Sequence, residues 1–351
     1  MRYITASLRA LLLMATALLL VSCGDNKANS VISQLSGETM GTFWHVRLAA
    51  PLDAPAQAAL QRRIDVALEA VNDSMSTYRD QSELMRFNHS TATTPQPVSD
   101  GMRRVVGKAL EISAQSDGVY DITVGPLVNL WGFGPIKRQD KPADSEIAEA
   151  LQHVGYGKLQ LTDAGLAKSD PQVFIDLSSI AKGYGVDVVA ETLLDAGYTN
   201  FIVEIGGEVH ASGSKYGAPW RVGIERPEQG LATGEGVENI IAMNEKLPAM
   251  ATSGNYRQYA ERGGEMAYHI VDPRDGRSHS SRLLSATVLA ADCMTADGYA
   301  TALMVLGDEE ALEFADRYGL AAELILAGDD KQPFIIERSR AFRAAVQEEK
   351  P

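Results

Sequence analysis

The sequence predicts an α+β fold, built as two intimately joined lobes with mixed or antiparallel sheets and flanking helices. Short apolar runs typical of strands are interleaved irregularly with amphipathic helical patterns, whereas a doubly wound fold would show a regular strand–helix–strand alternation. About 320 residues follow the N-terminal leader, a length that suits one large domain or two closely joined lobes. The 351 residues contain no obvious internal repeat and no low-complexity tract.

The first 22 residues are predicted to be a targeting segment. Arg2 and Arg9 form a basic start, and residues 10–21 are apolar. That run is too short for a membrane-spanning helix, which needs about 20 residues. The following Leu20-Val21-Ser22-Cys23 resembles a bacterial lipoprotein signal, with Cys23 as the lipidated first residue of the mature chain. An ordinary signal peptide with a chance cysteine is the alternative.

The cysteine content favours the lipoprotein. The chain contains two cysteines, Cys23 and Cys293. An exported chain without an intramolecular pair fits a lipid-modified Cys23 better than it fits a disulfide. Cys293 is then a lone thiol, which we expect to be buried. The predicted organisation is a signal peptide over 1–22, a lipid-anchored tether over 23–33 and a folded region over 34–351.

The charge of the chain limits its partners. The formal net charge is −14, which argues against nucleic acid and against anionic membrane surfaces. An anionic ligand would need local lysine or arginine side chains, or a metal ion, to offset the overall negative field.

Amphipathic patterns predict the helices. Between residues 55 and 74, one stripe carries Leu60, Ile64, Leu68 and Val71. Asp100 is a candidate N-cap for the next helix. Further helices are predicted over residues 145–154, 295–306 and 308–319, with Gly307 and Gly319 as helix stops, and near the C-terminus.

Apolar β-forming runs predict the strands. In residues 42–46, Trp44 and Val46 face one side and Phe43 and His45 the other. Other strands are predicted at 173–175, 201–205, 220–224, 268–271, 285–290, 322–327 and 334–337. The glycine pair that follows residue 205 fits either a hairpin turn or close approach by a ligand. Residues 251–257 are predicted to be a polar turn between strands.

The stretch 173–187 is the centre of the predicted site. It combines a predicted buried strand at 173–175 with Ser178 and Ser179, which are N-cap residue types, and then an apolar helical pattern. Free backbone N–H groups at such a helix start favour anions, and phosphate in particular.

Lys182 is an unusual residue for the first turn of this helix, because the helix dipole disfavours a positive charge there. We therefore expect a compensating anion, either Asp176 or a bound phosphate. A capped helix with a surface ion pair is the simpler alternative.

Several other residues are candidates for chemistry. Asp297 and Thr301 are four residues apart on an apolar helix and share a face, and their oxygens suit Mg²⁺, which also binds phosphates. Capping or solvent exposure is the common alternative for that spacing. His269 precedes a tight turn, where it is either catalytic or a structural histidine. Tyr78 follows the first helix, where the pattern alone favours a core aromatic.

Residues 117–134 are rich in glycine and aromatic residues. Small residues let a ligand approach the backbone and aromatic rings offer stacking faces, so this segment is a candidate for ligand contacts. Other sites are excluded, because the sequence has no His/Cys cluster at zinc spacing, no phosphate-binding P-loop, no strand-linked dinucleotide fingerprint and no hydrolase nucleophile elbow.

Eight motifs, in this order along the chain, resemble those of the ApbE family, the FAD:protein FMN transferases. They are Glu38-Thr39-Met40-Gly41-Thr42, Ser76-Thr77-Tyr78-Arg79, Tyr120-Asp121-Ile122-Thr123-Val124-Gly125-Pro126-Leu127, Ile175-Asp176-Leu177-Ser178-Ser179-Ile180-Ala181-Lys182-Gly183-Tyr184, Glu204-Ile205-Gly206-Gly207-Glu208, Thr252-Ser253-Gly254-Asn255-Tyr256, His269-Ile270-Val271-Asp272-Pro273, and Thr295-Ala296-Asp297 with Thr301. Each motif alone is weak, but eight in register are specific. The lipoprotein signal also matches the habit of this family.

The resemblance implies an ApbE-like fold over 34–351, with FAD as substrate in a cleft between the lobes and Mg²⁺ on its pyrophosphate. Met40 and Tyr78 would line the flavin and adenine pocket. Further ligand contacts would come from Val119, Tyr120, Asp121, Asp176, Lys182 and Val271. The metal ligands would be Ser179, through its carbonyl, with the Asp297 and Thr301 side chains, and His269 is the candidate general base. Two positions depart from the family pattern: some members carry an acid at Lys182, and aspartate is more usual at Glu208.

The implied reaction is attack by a target threonine hydroxyl on the FMN-side phosphorus of FAD, with AMP leaving. The implied acceptors are periplasm-facing subunits of membrane redox complexes, of the sodium-translocating NADH:quinone reductase or Rnf type. Cys23 would anchor the protein to the periplasmic face of the cell envelope, with the inner membrane as the expected location. An FAD pyrophosphatase, a non-catalytic FAD-binding lipoprotein and a purely structural lipoprotein are the alternatives.

Overall fold

A computed structural model describes residues 31–227, 236–255, 259–278, 281–329, 331–346 and 348–349. The predicted signal peptide and the predicted lipidation site, Cys23, lie outside these residues. Among the described residues, no helix has the length and apolar character needed to cross a membrane.

The helices alternate irregularly with strands along the chain, as predicted. They are α1 (Ala54–Met75), α2 (Glu83–His89), α3 (Asp100–Gln115), α4 (Gly125–Leu130), α5 (Asp144–Leu151), α6 (Ala181–Asp195), α7 (Cys293–Tyr318) and α8 (Arg340–Ala345). α1 buries the predicted stripe of Leu60, Ile64, Leu68 and Val71. The predicted break in the late helix is confirmed, because Gly307 inside α7 has non-helical angles of φ 75° and ψ −170° and Gly319 caps its end in the left-handed region.

The strands form one large antiparallel sheet and three smaller ones. They are β1 (Ser33–Thr39), β2 (Thr42–Leu48), β3 (Leu159–Thr162), β4 (Gly165–Lys168), β5 (Phe201–Ile205), β6 (Glu208–Ser212), β7 (Arg221–Glu225), β8 (Val237–Ala242), β9 (Ala249–Gly254), β10 (Tyr259–Arg262), β11 (Glu265–Tyr268), β12 (Leu283–Ala290), β13 (Ala321–Ala327), β14 (Phe334–Arg338) and β15 (Glu348–Glu349). The eight-stranded sheet has the order β1-β2-β5-β6-β9-β12-β13-β14. The α+β prediction is confirmed, and the pairings between the named strands are antiparallel.

The large sheet is covered on both faces, as side-chain alternation along its strands requires. Val288 and Leu324 belong to a core cluster that includes residues of α3 and α7. Their neighbours Leu289 and Ile325 belong to a second cluster, under the sheet of β7, β8 and β15 and under α8. A third cluster joins α1 and α6 to β1, β2 and β5, and Met40 packs against this cluster and the first one.

The predicted strand at 173–175 is wrong. Val173 and Ile175 are fully buried, but Phe174 forms an isolated parallel bridge with Val124 instead of joining a sheet. The side chain of Asn88 replaces a neighbouring strand: its Oδ1 accepts a hydrogen bond from Ile175 N at 2.8 Å, and its Nδ2 donates to Ile175 O at 2.9 Å. A burial pattern cannot distinguish these two kinds of partner.

Some boundaries also differ from the predictions. Ser99 caps α3, its Oγ accepting from Met102 N at 3.2 Å, and Asp100 is the first helical residue. β1 and α2 were not predicted. Residues 249–254, which overlap the predicted polar turn, form the central strand β9 because their backbone pairs with both β6 and β12. The paired glycines after residue 205 form the turn of the β5–β6 hairpin.

Candidate functional site

The start of α6 is built differently from the predicted serine cap. Ile180 occupies the N-cap position, with φ −149° and ψ −21° and no side-chain cap. The two serines lie in the preceding turn, where Asp176 Oδ1 accepts a hydrogen bond from Ser178 N at 2.8 Å. Asp176 therefore shapes the turn that leads into the helix.

The cap of α6 comes from α7. Gly183 N donates to Asp297 Oδ2 at 2.9 Å. As the third residue of α6, Gly183 carries one of the N–H groups that have no acceptor within their own helix. The Ser179 carbonyl oxygen precedes the N-cap and accepts no hydrogen bond from the described residues. The two helices can approach this closely because residue 183 is glycine: a Cβ there would lie 2.4 Å from the Cys293 carbonyl oxygen.

Asp297 itself is buried, with 2% of its surface exposed. Burial raises the pKa of its carboxyl to about 7, against the opposing effect of Lys182. Its second oxygen, Oδ1, accepts no hydrogen bond from the described part of the chain. One turn later on the same face, Thr301 Oγ1 lies 3.2 Å from Ser253 Oγ on β9. Ser253 belongs to one of the eight motifs, and that is the signal that could have identified it.

The side chain that compensates Lys182 is Glu208 at the start of β6, so Asp176 does not have that role, and a bound phosphate stays a prediction. The two side chains form an ion pair. Burial raises the pKa of Glu208 against the opposing charge of Lys182, and the Glu208 carboxylate raises the pKa of Lys182 although burial lowers it. Glu208 Oε2 is buried and has no hydrogen-bond partner among the described residues. Lys182 at the helix start and Glu208 on the strand are 26 residues apart in sequence, and no local sequence pattern predicts such a pairing.

Tyr120 links the two halves of the predicted site. Its hydroxyl lies 2.9 Å from Ser179 Oγ. Burial raises the pKa of Tyr120, and the nearby carboxylates of Asp297, Asp176 and Asp121 raise it further.

The carboxylate of Asp121 is engaged within its own segment. Its Oδ1 accepts from the N and Oγ1 of Thr123, both at 2.7 Å, and its Oδ2 accepts from Tyr156 N at 2.6 Å. Asp121 therefore holds the glycine-rich segment in place, and its neighbour Val119 is buried.

Tyr78 is not a core aromatic, as its pattern suggested: it is 66% exposed. Its hydroxyl lies 3.5 Å from the Phe133 carbonyl oxygen, and partial burial together with the charge of Asp176 raises its pKa. The ring of Phe133 makes an edge contact with His269, with centroids 6.5 Å apart. Tyr78 and His269 thus each contact Phe133, and Val271, two residues after His269, is buried.

Met40 occupies the turn of the β1–β2 hairpin, at φ 50°. Its side chain extends over α6, because a Cβ at Gly185 would lie 2.8 Å from Met40 Cε. Met40 is thereby placed beside the helix that carries Lys182.

The residues around the α6 start fit a divalent cation. The Ser179 carbonyl, Asp297 Oδ1 and the Thr301 hydroxyl are oxygen donors of the kind that Mg²⁺ takes, and Mg²⁺ usually keeps several waters and binds phosphates as well. Among the described residues no three His, Cys, Asp or Glu side chains converge on one point, so a cation here depends on the carbonyl and the hydroxyl. A surface cavity of about 380 Å³, lined by residues 199–200, 210–213, 243–245 and 248, contains none of the predicted site residues.

Known proteins are similar to this chain in sequence and in fold. A sequence profile described as the ApbE family matches residues 40–324. The FAD:protein FMN transferase of Vibrio cholerae is 43% identical over 322 residues, covering 91% of this chain and 94% of that protein. The enzyme of the same name from Haemophilus influenzae is 44% identical over 345 residues, covering 95% and 96%.

Solved structures of ApbE proteins are also similar to this chain. The flavin transferase ApbE from Vibrio cholerae has a TM-score of 0.79 at 42% identity, over 90% of this chain and 99% of that chain. The apo flavinyl transferase ApbE from Pseudomonas stutzeri has a TM-score of 0.80 at 35% identity, over 90% and 96%. The similarity extends over most of the chain in both sequence and fold.

Proposed function

The chain belongs to the ApbE family and is an FAD:protein FMN transferase, and from that premise we propose that it transfers FMN from FAD to a threonine hydroxyl of target redox proteins. The proposed reaction depends on Mg²⁺ and releases AMP. The observation that carries the proposal is the cap that Asp297 Oδ2 places on Gly183 N at the start of α6. The other Asp297 oxygen and the Ser179 carbonyl accept no hydrogen bond from the described residues.

The proposed metal ligands are the Ser179 carbonyl and the Asp297 and Thr301 side chains. Bound there, Mg²⁺ would neutralise the diphosphate of FAD and act as a Lewis acid. Lys182 lies at the start of α6 with Glu208 as its counter-ion, and the backbone N–H of Lys182, which donates no hydrogen bond to the described residues, would favour phosphate. Together with Mg²⁺, this N–H would offset part of the negative charge of the chain, which would otherwise repel the substrate.

The proposed flavin and adenine contacts lie on the surrounding elements. Met40 and Tyr78 border the site from the first hairpin and from the end of α1, and both present apolar surface. The remaining proposed contacts are Val119, Tyr120, Asp121, Asp176 and Val271.

We propose His269 as the general base. In the transfer step, the threonine oxygen forms a bond to the FMN-side phosphorus, the bond from that phosphorus to the bridging oxygen breaks, and AMP leaves with the electron pair. The hydroxyl proton goes to His269. Such a step depends mainly on positioning and charge neutralisation, and proton removal contributes about 10²–10⁴-fold.

The proposed acceptors are periplasm-facing, threonine-bearing subunits of membrane redox complexes, of the sodium-translocating NADH:quinone reductase or Rnf type. The proposed location is the periplasmic face of the inner membrane, with Cys23 as the lipid anchor. The predicted leader over residues 1–22 supports both proposals, since a segment of this composition would direct the chain to export.

The test is incubation of the mature chain with FAD, Mg²⁺ and an acceptor domain, followed by intact-mass analysis. We expect a mass gain equal to FMN on the acceptor, released AMP, and no gain when the acceptor threonine is replaced by alanine. Free FMN and AMP with an unmodified acceptor would indicate a pyrophosphatase instead. Bound FAD without AMP at any Mg²⁺ concentration would indicate a non-catalytic flavin-binding protein.

A further inference from the structure

The helices α6 and α7 meet at their N-terminal ends and cap each other. Asp297 on α7 accepts from Gly183 N on α6, as described above. In return, Asp187 on α6 accepts from two backbone groups at the start of α7: Oδ1 from Cys293 N at 2.8 Å, and Oδ2 from Met294 N at 2.9 Å.

The two contacts have the same spacing. On each helix the donor of one contact and the carboxylate of the other are four residues apart, at Gly183 and Asp187 on α6 and at Cys293 and Asp297 on α7. Residues four apart share one helix face, so the antiparallel crossing brings each carboxylate onto the other helix's free N–H groups. Each carboxylate also offsets the positive end of the helix that it caps.

Asp187 is well fixed. It is 3% exposed, both of its oxygens accept backbone hydrogen bonds, and Nδ1 of His210 on β6 lies 3.2 Å from its Oδ1. It therefore ties the start of α7 to α6 and to the large sheet. The local N-cap of α7 is a different residue, Asp292, whose Oδ1 accepts from Thr295 N at 2.8 Å.

We propose that Asp187 is a positioning residue for the cation site, an inference that rests on the proposed function. By fixing the first turn of α7 against α6, Asp187 sets the register that places Asp297 Oδ2 on Gly183 N. That register brings the other Asp297 oxygen and Thr301 to the start of α6, just after the Ser179 carbonyl. Asp187 touches neither the metal nor the flavin.

The proposal distinguishes the cross-helix contact of Asp187 from the local helix cap of Asp292. Asp292 caps α7 locally, and its loss weakens the helix start without moving α7 relative to α6. Loss of Asp187 breaks the cross-helix contact and leaves two buried N–H groups unsatisfied. Partners that orient a metal ligand typically change metal affinity by about 10–100-fold.

The experiment uses the mature chain saturated with ADP, a diphosphate-containing part of FAD, and titrates Mg²⁺ by calorimetry. Asp187→Ala and Asp292→Ala form the matched pair, because each removes a carboxylate from the same end of α7. We expect both to lower the Tm, but only Asp187→Ala to weaken Mg²⁺ binding, by about 10–100-fold. Asp187→Asn, which keeps the shape but presents an amide donor to one of the two N–H groups, should weaken it as well and serves if the alanine variant does not fold.

Asp297→Ala is the further arm that separates this inference from the proposed function. If Mg²⁺ binding is absent or insensitive to Asp297→Ala, the cation site and the role of Asp187 both fail. If binding is sensitive to Asp297→Ala but unchanged in a folded Asp187 variant, the role of Asp187 alone is overturned. Equal loss of affinity in the Asp187→Ala and Asp292→Ala variants would also overturn it, because it would mark a general effect of helix stability.

Discussion

The two carboxylate oxygens of Asp297 have different roles, one in the fold and one in the proposed chemistry. Oδ2 caps α6, while Oδ1 remains available. Asparagine can still accept from Gly183 N but cannot supply the negative charge that a cation needs. We expect Asp297→Asn to fold with an unchanged or higher Tm in the absence of Mg²⁺, because burial already disfavours the charged form, and to lose transfer by at least about 100-fold. Acceptor mass and thermal unfolding measure the two effects, and full Mg²⁺-dependent transfer in the variant would refute the metal assignment.

His269 is the proposed base, and its ring lies beside Phe133, whose carbonyl oxygen is 3.5 Å from the Tyr78 hydroxyl. We expect His269→Ala to slow single-turnover transfer by about 10²–10⁴-fold while leaving the FAD dissociation constant nearly unchanged. The two quantities are separable by rapid-quench transfer and by flavin fluorescence titration. A variant that transfers at the normal rate would remove His269 as the base.

Tyr299 gives a pH prediction that is independent of the site. Burial raises the pKa of its phenol to about 12 from 10.0. As the pH rises through 10, the unfolded chain ionises this group first, so its contribution to stability is lost progressively between pH 10 and about 12. We expect the Tm difference between the wild type and Tyr299→Phe to shrink over that range. A difference that is constant with pH would contradict this.

At the residue scale, the sequence located candidate residues better than it located their partners. Asp297, Thr301 and Lys182 could be chosen because an acid and a hydroxyl on an apolar helix, or a lysine in a first turn, are chemically unusual there. Glu208 and Ser253 belong to two of the eight motifs, but their contacts with Lys182 and Thr301 could not be predicted, since these depend on strands that the chain brings back from far along the sequence.

At the element scale, the crossing of α6 and α7 depends on a residue without a side chain. A Cβ at Gly183 would lie 2.4 Å from the Cys293 carbonyl oxygen and 2.8 Å from Asp297 Cβ. We expect Gly183→Ala to push the helices apart, to destabilise the fold by about 1–3 kcal/mol and to abolish Mg²⁺-dependent transfer.

Gly107 in α3 is the matched control. A Cβ there would meet Leu161 Cδ2 at 3.5 Å, an ordinary contact. Gly107→Ala should be neutral or stabilising by up to about 1 kcal/mol, because alanine favours helix. Chemical denaturation of both variants tests the pair, and equal effects would contradict the steric argument.

The element predictions failed where a side chain replaced backbone pairing. Residues 173–175 have the composition of a buried strand, yet Asn88 satisfies Ile175. β9 has the composition of a turn, yet it lies in the middle of the sheet. Hydrophobic periodicity indicates which residues are buried. α1 could be predicted because burial of its apolar stripe decides it, and the break in α7 could be predicted because a single glycine decides it.

At the scale of the whole molecule, the negative charge opposes the approach of an anionic substrate. The net charge is −14, and FAD carries a negatively charged diphosphate. We expect the association rate of FAD with the metal-free protein to rise as NaCl is increased from about 10 to about 150 mM, because the Debye length falls from about 30 Å to about 8 Å. Stopped-flow flavin fluorescence measures the rate.

Riboflavin, which lacks phosphate, is the control ligand, and its association rate should not change with salt. A fall in the FAD rate with salt would show that the local charge of Lys182 outweighs the overall field.

The α+β class was predictable at this scale from the irregular order of strands and helices. The order of strands in the sheet was not, because it depends on pairings between distant segments.

Cys293 is fully buried where α7 begins, and the other cysteine of the chain is Cys23 in the leader region. Maturation of the folded part therefore requires no thiol oxidation. Recombinant production in the reducing cytosol, from a gene that starts after the leader, should yield the native fold without oxidoreductase helpers. Reductants in the storage buffer should leave it intact.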